Sequence, residues 1–214
     1  MRMAEMALAL LGGVGNLVGI RAGTEEPRFT LVEQVGAIEI RRYGPRLAAE
    51  VEISGPAEAA RNEGFRKLAG YIFGDNAKQT PIAMTAPVAQ SGGARQSIAM
   101  TAPVAQTQVR LGAGGASWRI QFYMPAKYSR ATLPVPNDPS VRIVDVPPQD
   151  YAVLRFTGSR TGPSVAAKTA ALTSGLAGGR WRITGEPTAW FYDPPWTAPF
   201  LRRNEVAAPV TAAP

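Results

Sequence analysis

Apolar and polar positions alternate most regularly in "PRLAAEVEISG", Pro45 to Gly55, where Leu47, Ala49, Val51 and Ile53 fall on one side of the chain. That is the period of a half-buried strand. The preceding run "FTLVEQVGAIEIRRYG" is also strand-like, and Tyr43-Gly44-Pro45 is the turn between the two. At Gly55-Pro56 the period changes. Proline suits a first helical turn, and Arg61, Phe65, Leu68 and Ile72 then recur at spacings of four, three and four. This predicts a helix to about Phe73 with those residues on one face, stopped by Gly74. "WRIQFYMP" (Trp118–Pro125) is a further strand, and 108–117 and 130–140 read as loops.

The second half repeats the pattern. Glu39–Gly55 aligns without a gap over Arg142–Gly158, at an offset of 103 residues. Ile40 meets Ile143, Pro45 meets Pro148, Ala49 meets Ala152, and Gly55 meets Gly158. Gly162-Pro163 then opens a second helix with Val165, Leu172 and Leu176 on its apolar stripe, ended by Gly178-Gly179. "TAWFYDPP" (Thr188–Pro195) supplies a later strand. The expectation is an α+β chain of duplicated ββαββ units, about 28–125 and 141–206, related by a pseudo-two-fold. Two such units can close their sheets against each other or into a distorted barrel, with the helices outside.

A second repetition is local. IAMTAPVAQ occurs at Ile82–Gln90 and again at Ile98–Gln106, separated by "SGGARQS". Each copy lacks an acid, a base or a cation, and Pro87 and Pro103 place them at strand ends or edges. The repeat reads as apolar scaffold, the competing role being a ligand contact through Met84 or Met100.

Composition narrows the chemistry. With 45% hydrophobic and 18% charged residues, the chain is globular. It has no cysteine and no histidine, which removes disulfides, thiolate metal sites, cysteine nucleophiles, histidine triads and histidine haem ligation. The net charge of +7 comes from scattered arginines rather than a basic run with interleaved aromatics, and no helix-turn-helix stands out, so nucleic acid is not an expected partner. The arginines form either a solvated surface or sites for carboxylates, which guanidinium binds bidentately. Residues 6–20 carry no charge; they are too short for a membrane span and fit an export signal or a membrane tether. This leans towards a periplasmic or tethered protein, the alternative being a cytoplasmic one with an amphipathic N-terminal arm.

The stretches "GYIFGDNAKQTPIAMTAPV", "WRIQFYMPAKYSRATLPVPNDPSVRIVDVP" and "YDPPWTAPFLRRNEV" stand in the order and spacing of the SOUL/haem-binding-protein family. From about Pro27 to Val206 the chain resembles a bacterial member of it. The resemblance implies a twisted, distorted β-barrel of two ββαββ halves flanked by two helices. It implies a single domain at 27–208, a leader at 1–26 and a tail at 209–214. It further implies non-covalent binding of haem or another tetrapyrrole, as ligand rather than catalytic cofactor, for transport, buffering or sequestration. The groove it implies lies between the first helix and the loop before "RRNE". A monomer is expected.

A tetrapyrrole is a flat apolar disc with two propionates on one edge. On the segments that the resemblance indicates, Phe65, Leu68, Ala69, Ile72, Trp196 and Phe200 are candidates for its faces. Arg61, Arg66, Arg202 and Arg203 are candidates for the acid edge, and Asn62 stands where the family has an arginine. A basic residue of the family is replaced by Gly70, and a family lysine falls near Thr197-Ala198. Core packing competes for Leu68 and Ile72. In a strand Arg202 and Arg203 would point to opposite faces, so one of them at most faces a given ligand. Tyr71 and the methionines are the remaining iron donors, and no spacing selects one; no metal site and no catalytic set is predicted. Two alternatives stand. One is an enzyme acting on a tetrapyrrole through carboxylates among Glu63, Asp75, Asp193 and Glu205. The other is a broad small-ligand module, since multidrug sensors use similar twofold domains.

Overall fold

The computed structural model describes residues 25–77, 103–110, 116–193 and 197–213. Residues 6–20, Met84, Met100, Trp196 and all of the nonapeptide repeat except its last four residues lie outside that set. The run read as one strand divides into β1 (Phe29–Val35) and β2 (Ile38–Tyr43). Gly36 turns the chain between them at φ +58°, a value that glycine reaches without steric cost. β3 (Arg46–Ser54) and helix α1 (Ala57–Ile72) follow, with Gly74 beyond the helix at φ +111°.

Next come β4 (Asn76–Ala77), β5 (Val104–Arg110), β6 (Ser117–Tyr123) and β7 (Val135–Pro136). After β8 (Arg142–Val146) and β9 (Gln149–Phe156) the chain enters helix α2 (Gly162–Leu176). β10 (Trp181–Ile183), β11 (Thr188–Phe191), a 3-10 turn (Pro199–Leu201) and β12 (Asn204–Ala212) complete it. The end of the repeated nonapeptide thus opens β5, and most of the expected tail continues β12. Among the described residues no helix is long and apolar enough to cross a membrane.

The main sheet is antiparallel and runs β1-β2-β9-β12-β11-β5-β6-β3-β8, with β10 also on β12. Two expectations are corrected here. The barrel is not closed: β1 and β8 are the two ends of the strand path, and among the described residues no ladder joins them. Nor does either half form its own four-stranded sheet. The offset of 103 residues superposes β2 on β8 and β3 on β9, yet the pairing is crosswise, β2 with β9 and β3 with β8. Each half therefore completes the other's sheet, and separate ββαββ units do not emerge.

The helices cover one face. α1 packs on β3 and β6 around Val51, Leu68, Ile120 and Phe122, while Leu172 and Leu176 of α2 pack on Ile40, Val206 and Ala208. The buried seam of α1 runs through Ala60, Gly64, Leu68, Tyr71 and Ile72: Leu68 and Ile72 are buried as expected, while in the first turns Ala60 and Gly64 are buried deeper than Arg61 and Phe65. Gly64 is the reason. A Cβ there would lie 2.9 Å from Ile120 Cγ1 and 3.0 Å from its Cβ, so only glycine permits this approach. On α2, a Cβ at Gly175 would meet only the far end of Ile38, its Cδ1, at 2.6 Å.

Gly64→Ala should therefore destabilise the fold by about 1–3 kcal/mol, since the backbone-proximal atoms of Ile120 cannot rotate away. Gly175→Ala should cost less than about 1 kcal/mol, because Cδ1 can rotate and alanine favours helix. Urea denaturation of both variants tests the contrast; equal costs would refute it.

Candidate ligand-binding site

Each helix sits on its own part of the sheet, so a gap remains over β5 and β11, where the two parts join. The gap is a cavity of about 760 Å³. Ala57, Glu58 and Arg61 form one wall, Val165, Ala166, Thr169 and Ala170 the other, and Gln106, Trp118 and Ala189 the floor. Small residues on both helices keep it open. The floor is fixed by hydrogen bonds from the Gln106 amide to the Ala57 carbonyl (2.8 Å) and from the Trp118 indole to the Gly55 carbonyl (3.0 Å). Its size and mixed lining suit an amphipathic small molecule.

One end of the cleft is cationic. Arg61 and Arg160 stack on the same ring, their guanidinium carbons 5.3 and 5.6 Å from the Phe191 centroid. Arg61 Nη1 donates to the Arg160 carbonyl at 3.2 Å, and Arg160 Nη1 to the Asp193 carbonyl at 3.0 Å. Arg202 Nε donates to the Thr197 carbonyl at 2.7 Å. The Glu58 carboxylate stands 3.7 Å from Arg61 and is largely exposed, a weak partner. Burial lowers the pKa of Arg61, opposed by Glu58 and reinforced by the charge of Arg202. Burial, then the charges of Arg202 and Arg61, bring Arg160 down to about 10, still cationic at neutral pH. Its buried Nε has no hydrogen-bond partner. Arg61 and Arg160 both feel the charge of Arg202, and the opposing carboxylates, Glu58 on both and Asp193 on Arg160, offset it only in part, so a further carboxylate placed beside them would be held strongly.

The other candidates are dispersed. Asn62 and Arg66 are exposed on α1, Ala69 is half-buried, and Phe65 lies edge-on to Phe122 at 5.4 Å. Leu68 and Ile72 are buried in the core. Phe200 is 76% exposed on the 3-10 turn. Arg202 and Arg203 do diverge: Arg203 lies 3.8 Å above the Tyr192 ring and donates to Glu205 at 2.9 and 3.0 Å and to Glu26 at 3.0 Å. Arg160, Phe191 and the α2 wall went unnoticed in the sequence. Arg160 stands in an ordinary loop sequence before α2, and nothing local marks it.

Of the acids considered for catalysis, Glu205 and Asp193 are held by other groups and Asp75 accepts from Asn137 at 3.0 Å. Glu205 is fully buried, and it accepts from Arg41 (2.9 and 3.2 Å) and from the Tyr192 hydroxyl (2.6 Å). Burial raises its pKa, but the hydrogen bonds and charge of Arg41, then Arg203 and Tyr192, outweigh that and hold it below its ordinary value. Asp193 Oδ2 accepts the Arg203 backbone N–H at 2.6 Å. Among the described residues no group of three or more acids could hold a metal ion.

The sequence profile described as SOUL heme-binding protein matches residues 24–209. Heme-binding protein 1 of Xenopus tropicalis is 27% identical over 199 residues, which are 92% of this chain and 93% of that protein. Heme-binding protein 2 of Homo sapiens is 47% identical over 57 residues, 26% of this chain and 27% of that protein. Among solved structures, the C-terminal domain of EcmrR superposes with a TM-score of 0.58 at 8% identity, covering 82% of this chain and 98% of that one. That last likeness is one of fold.

Proposed function

The chain belongs to the SOUL heme-binding protein family, and on that footing we propose that it binds haem or a related tetrapyrrole non-covalently in the α1–α2 cleft. The observation that carries the reading is the pair Arg61 and Arg160, both desolvated and set at one end of a cleft walled by small residues. The propionates would sit among these arginines, and the macrocycle would lie against Ala57, Val165, Ala166 and the Trp118 floor. Asn62, Phe65, Arg66, Ala69, Trp196 and Phe200 are proposed contacts for whatever part of the ligand leaves the cleft along α1. Arg203 is left to Glu205, and Leu68 and Ile72 to the core.

The donor set suits the ring and its acids. The chain has no histidine, and among the described residues the cleft wall offers no sulfur or phenol to iron, so we read the contacts as made to the organic ligand. Loose, metal-indifferent binding suits transport, buffering or sequestration. The description of the family names binding and not a reaction.

Titration of the protein with hemin, protoporphyrin and a cationic dye tests this. We expect a saturable Soret shift with hemin, a similar affinity for protoporphyrin, and quenching of Trp118 that Trp118→Phe removes. No saturable change with either tetrapyrrole below about 100 μM would overturn the reading.

A further inference from the structure

On the face of the sheet away from the helices, Arg46 opens β3 just after the Gly44-Pro45 turn. Strand alternation points Trp190 to this face, opposite Ala189 on the cleft floor. The Arg46 guanidinium carbon lies 4.4 Å from the Tyr43 ring centroid, 4.7 Å from Tyr123 and 5.9 Å from Tyr151. Trp190 completes the box, edge-on to Tyr43 at 5.6 Å and 5.3 Å from Tyr151. Arg41 and Arg203, on the same face, are held by Glu205. Arg46 has no such carboxylate anchor among the described residues: its Nε, Nη1 and Nη2 are buried without a hydrogen bond of good geometry, and its polar neighbour is the Tyr151 phenol.

A buried structural arginine is ordinarily paired or hydrogen-bonded. Here ring faces hold the cation, the chemistry by which aromatic cages hold quaternary ammonium groups. The phenols stay neutral, because burial raises the pKa of Tyr43, Tyr123 and Tyr151, offset only in part by Arg41 and then Arg46 at Tyr43 and by Arg46 at the other two. Beside the guanidinium about 10 Å³ remains, too little for a second guest. Arg46 also has somewhere to go. It borders an open cavity of about 540 Å³ whose wall includes Tyr123, the acids Glu25 and Asp145 and the cations Arg28 and Arg130, with Asp145 already paired to Arg130 at 2.7 Å. A guanidinium swung into that cavity would reach solvent and the Glu25 carboxylate, so a guest cation need only replace the ring contacts.

We propose that this box is a binding site for a small organic cation with a quaternary ammonium or guanidinium head, and that Arg46 occupies it as a tethered, exchangeable ligand. The site is independent of the haem reading, since none of its residues lines the α1–α2 cleft.

The buried Trp190 indole N–H, which has no hydrogen-bond partner, is the reporter. Its NMR resonance would be followed while choline, or the uncharged isostere 3,3-dimethylbutan-1-ol, is added to the wild-type protein and to Arg46→Ala. Choline should shift it saturably in the wild type, bind about ten-fold more tightly to Arg46→Ala, and there exceed its isostere about ten-fold. Equal affinity of Arg46→Ala for both compounds, or for neither, overturns the cation site. No saturable shift in the wild type up to about 100 mM overturns the exchange. If Arg46→Ala does not fold, Arg46→Gln is read in the same way: it must bind choline more tightly than the wild type, and equal or weaker binding refutes the proposal. Hemin affinity should be unchanged in either folded variant, which separates failure of this site from failure of the cleft.

Discussion

Replacing Arg61 and Arg160 together by methionine should weaken hemin binding about a hundred-fold. Hydrogen bonds to a charged partner contribute about 1.5–3 kcal/mol each, and about 1.4 kcal/mol is a factor of ten, so losing two at the lower end gives that change. Methionine keeps an apolar stem over Phe191, where both guanidinium groups now stack. Stability should change little. The variant loses hydrogen bonds to the Arg160 and Asp193 carbonyls but also loses two desolvated, mutually repelling charges. Hemin dimethyl ester should bind wild type and variant alike, because it presents no carboxylate. An unchanged affinity for hemin, or an equal loss for the ester, would remove the arginines from the site.

Glu205→Leu should destabilise the protein by about 3–5 kcal/mol, the range for leaving a buried charge without its partner. Among the described residues Arg41, 3% exposed, would keep only Glu39 as a carboxylate partner, at 2.7 Å, and Arg203 would keep only Glu26, at 3.0 Å. Urea denaturation reads the loss, and a cost below about 1 kcal/mol would contradict the role assigned to this network. The pH dependence follows from the sign of the shift. Glu205 is held below its ordinary 4.5, so its contribution is complete above that value and is lost as pH falls through the lower folded value. The gap between wild type and Glu205→Gln should therefore close only in strong acid. Hemin affinity of the folded variants should be unaltered, since neither Glu205 nor Arg203 borders the cleft.

The elements were legible where neighbours a few residues apart decide them. β3, both helices and their glycine ends follow the written periodicities. On α1 the periodicity placed Leu68 and Ile72 in the core but pointed one residue astray in the first turns. Apolar Phe65 drew the seam to itself, whereas contact favours whatever lets the backbone come close, and Gly64 does that against Ile120. The site was legible in part. Arg61 could be read as a candidate from its helix and Arg202 from the family's C-terminal motif, but nothing near Arg160 distinguishes it from other surface arginines.

By itself, the sequence determined the classes of chemistry and the local elements. Lacking histidine and cysteine, the chain cannot build the usual haem or thiolate ligation, and its alternations specify strands and helices through interactions of short range. Tertiary structure alone decided which cations are neighbours. Crosswise pairing of β2 with β9 and β3 with β8 joins the halves, sets α1 beside α2, and brings Arg61 and Arg160 to one end of the gap, within reach of the charge of Arg202. It also buries Arg46 among rings drawn from β2, β6, β9 and β11. Such meetings depend on contacts between residues about a hundred positions apart, where no local pattern carries the information.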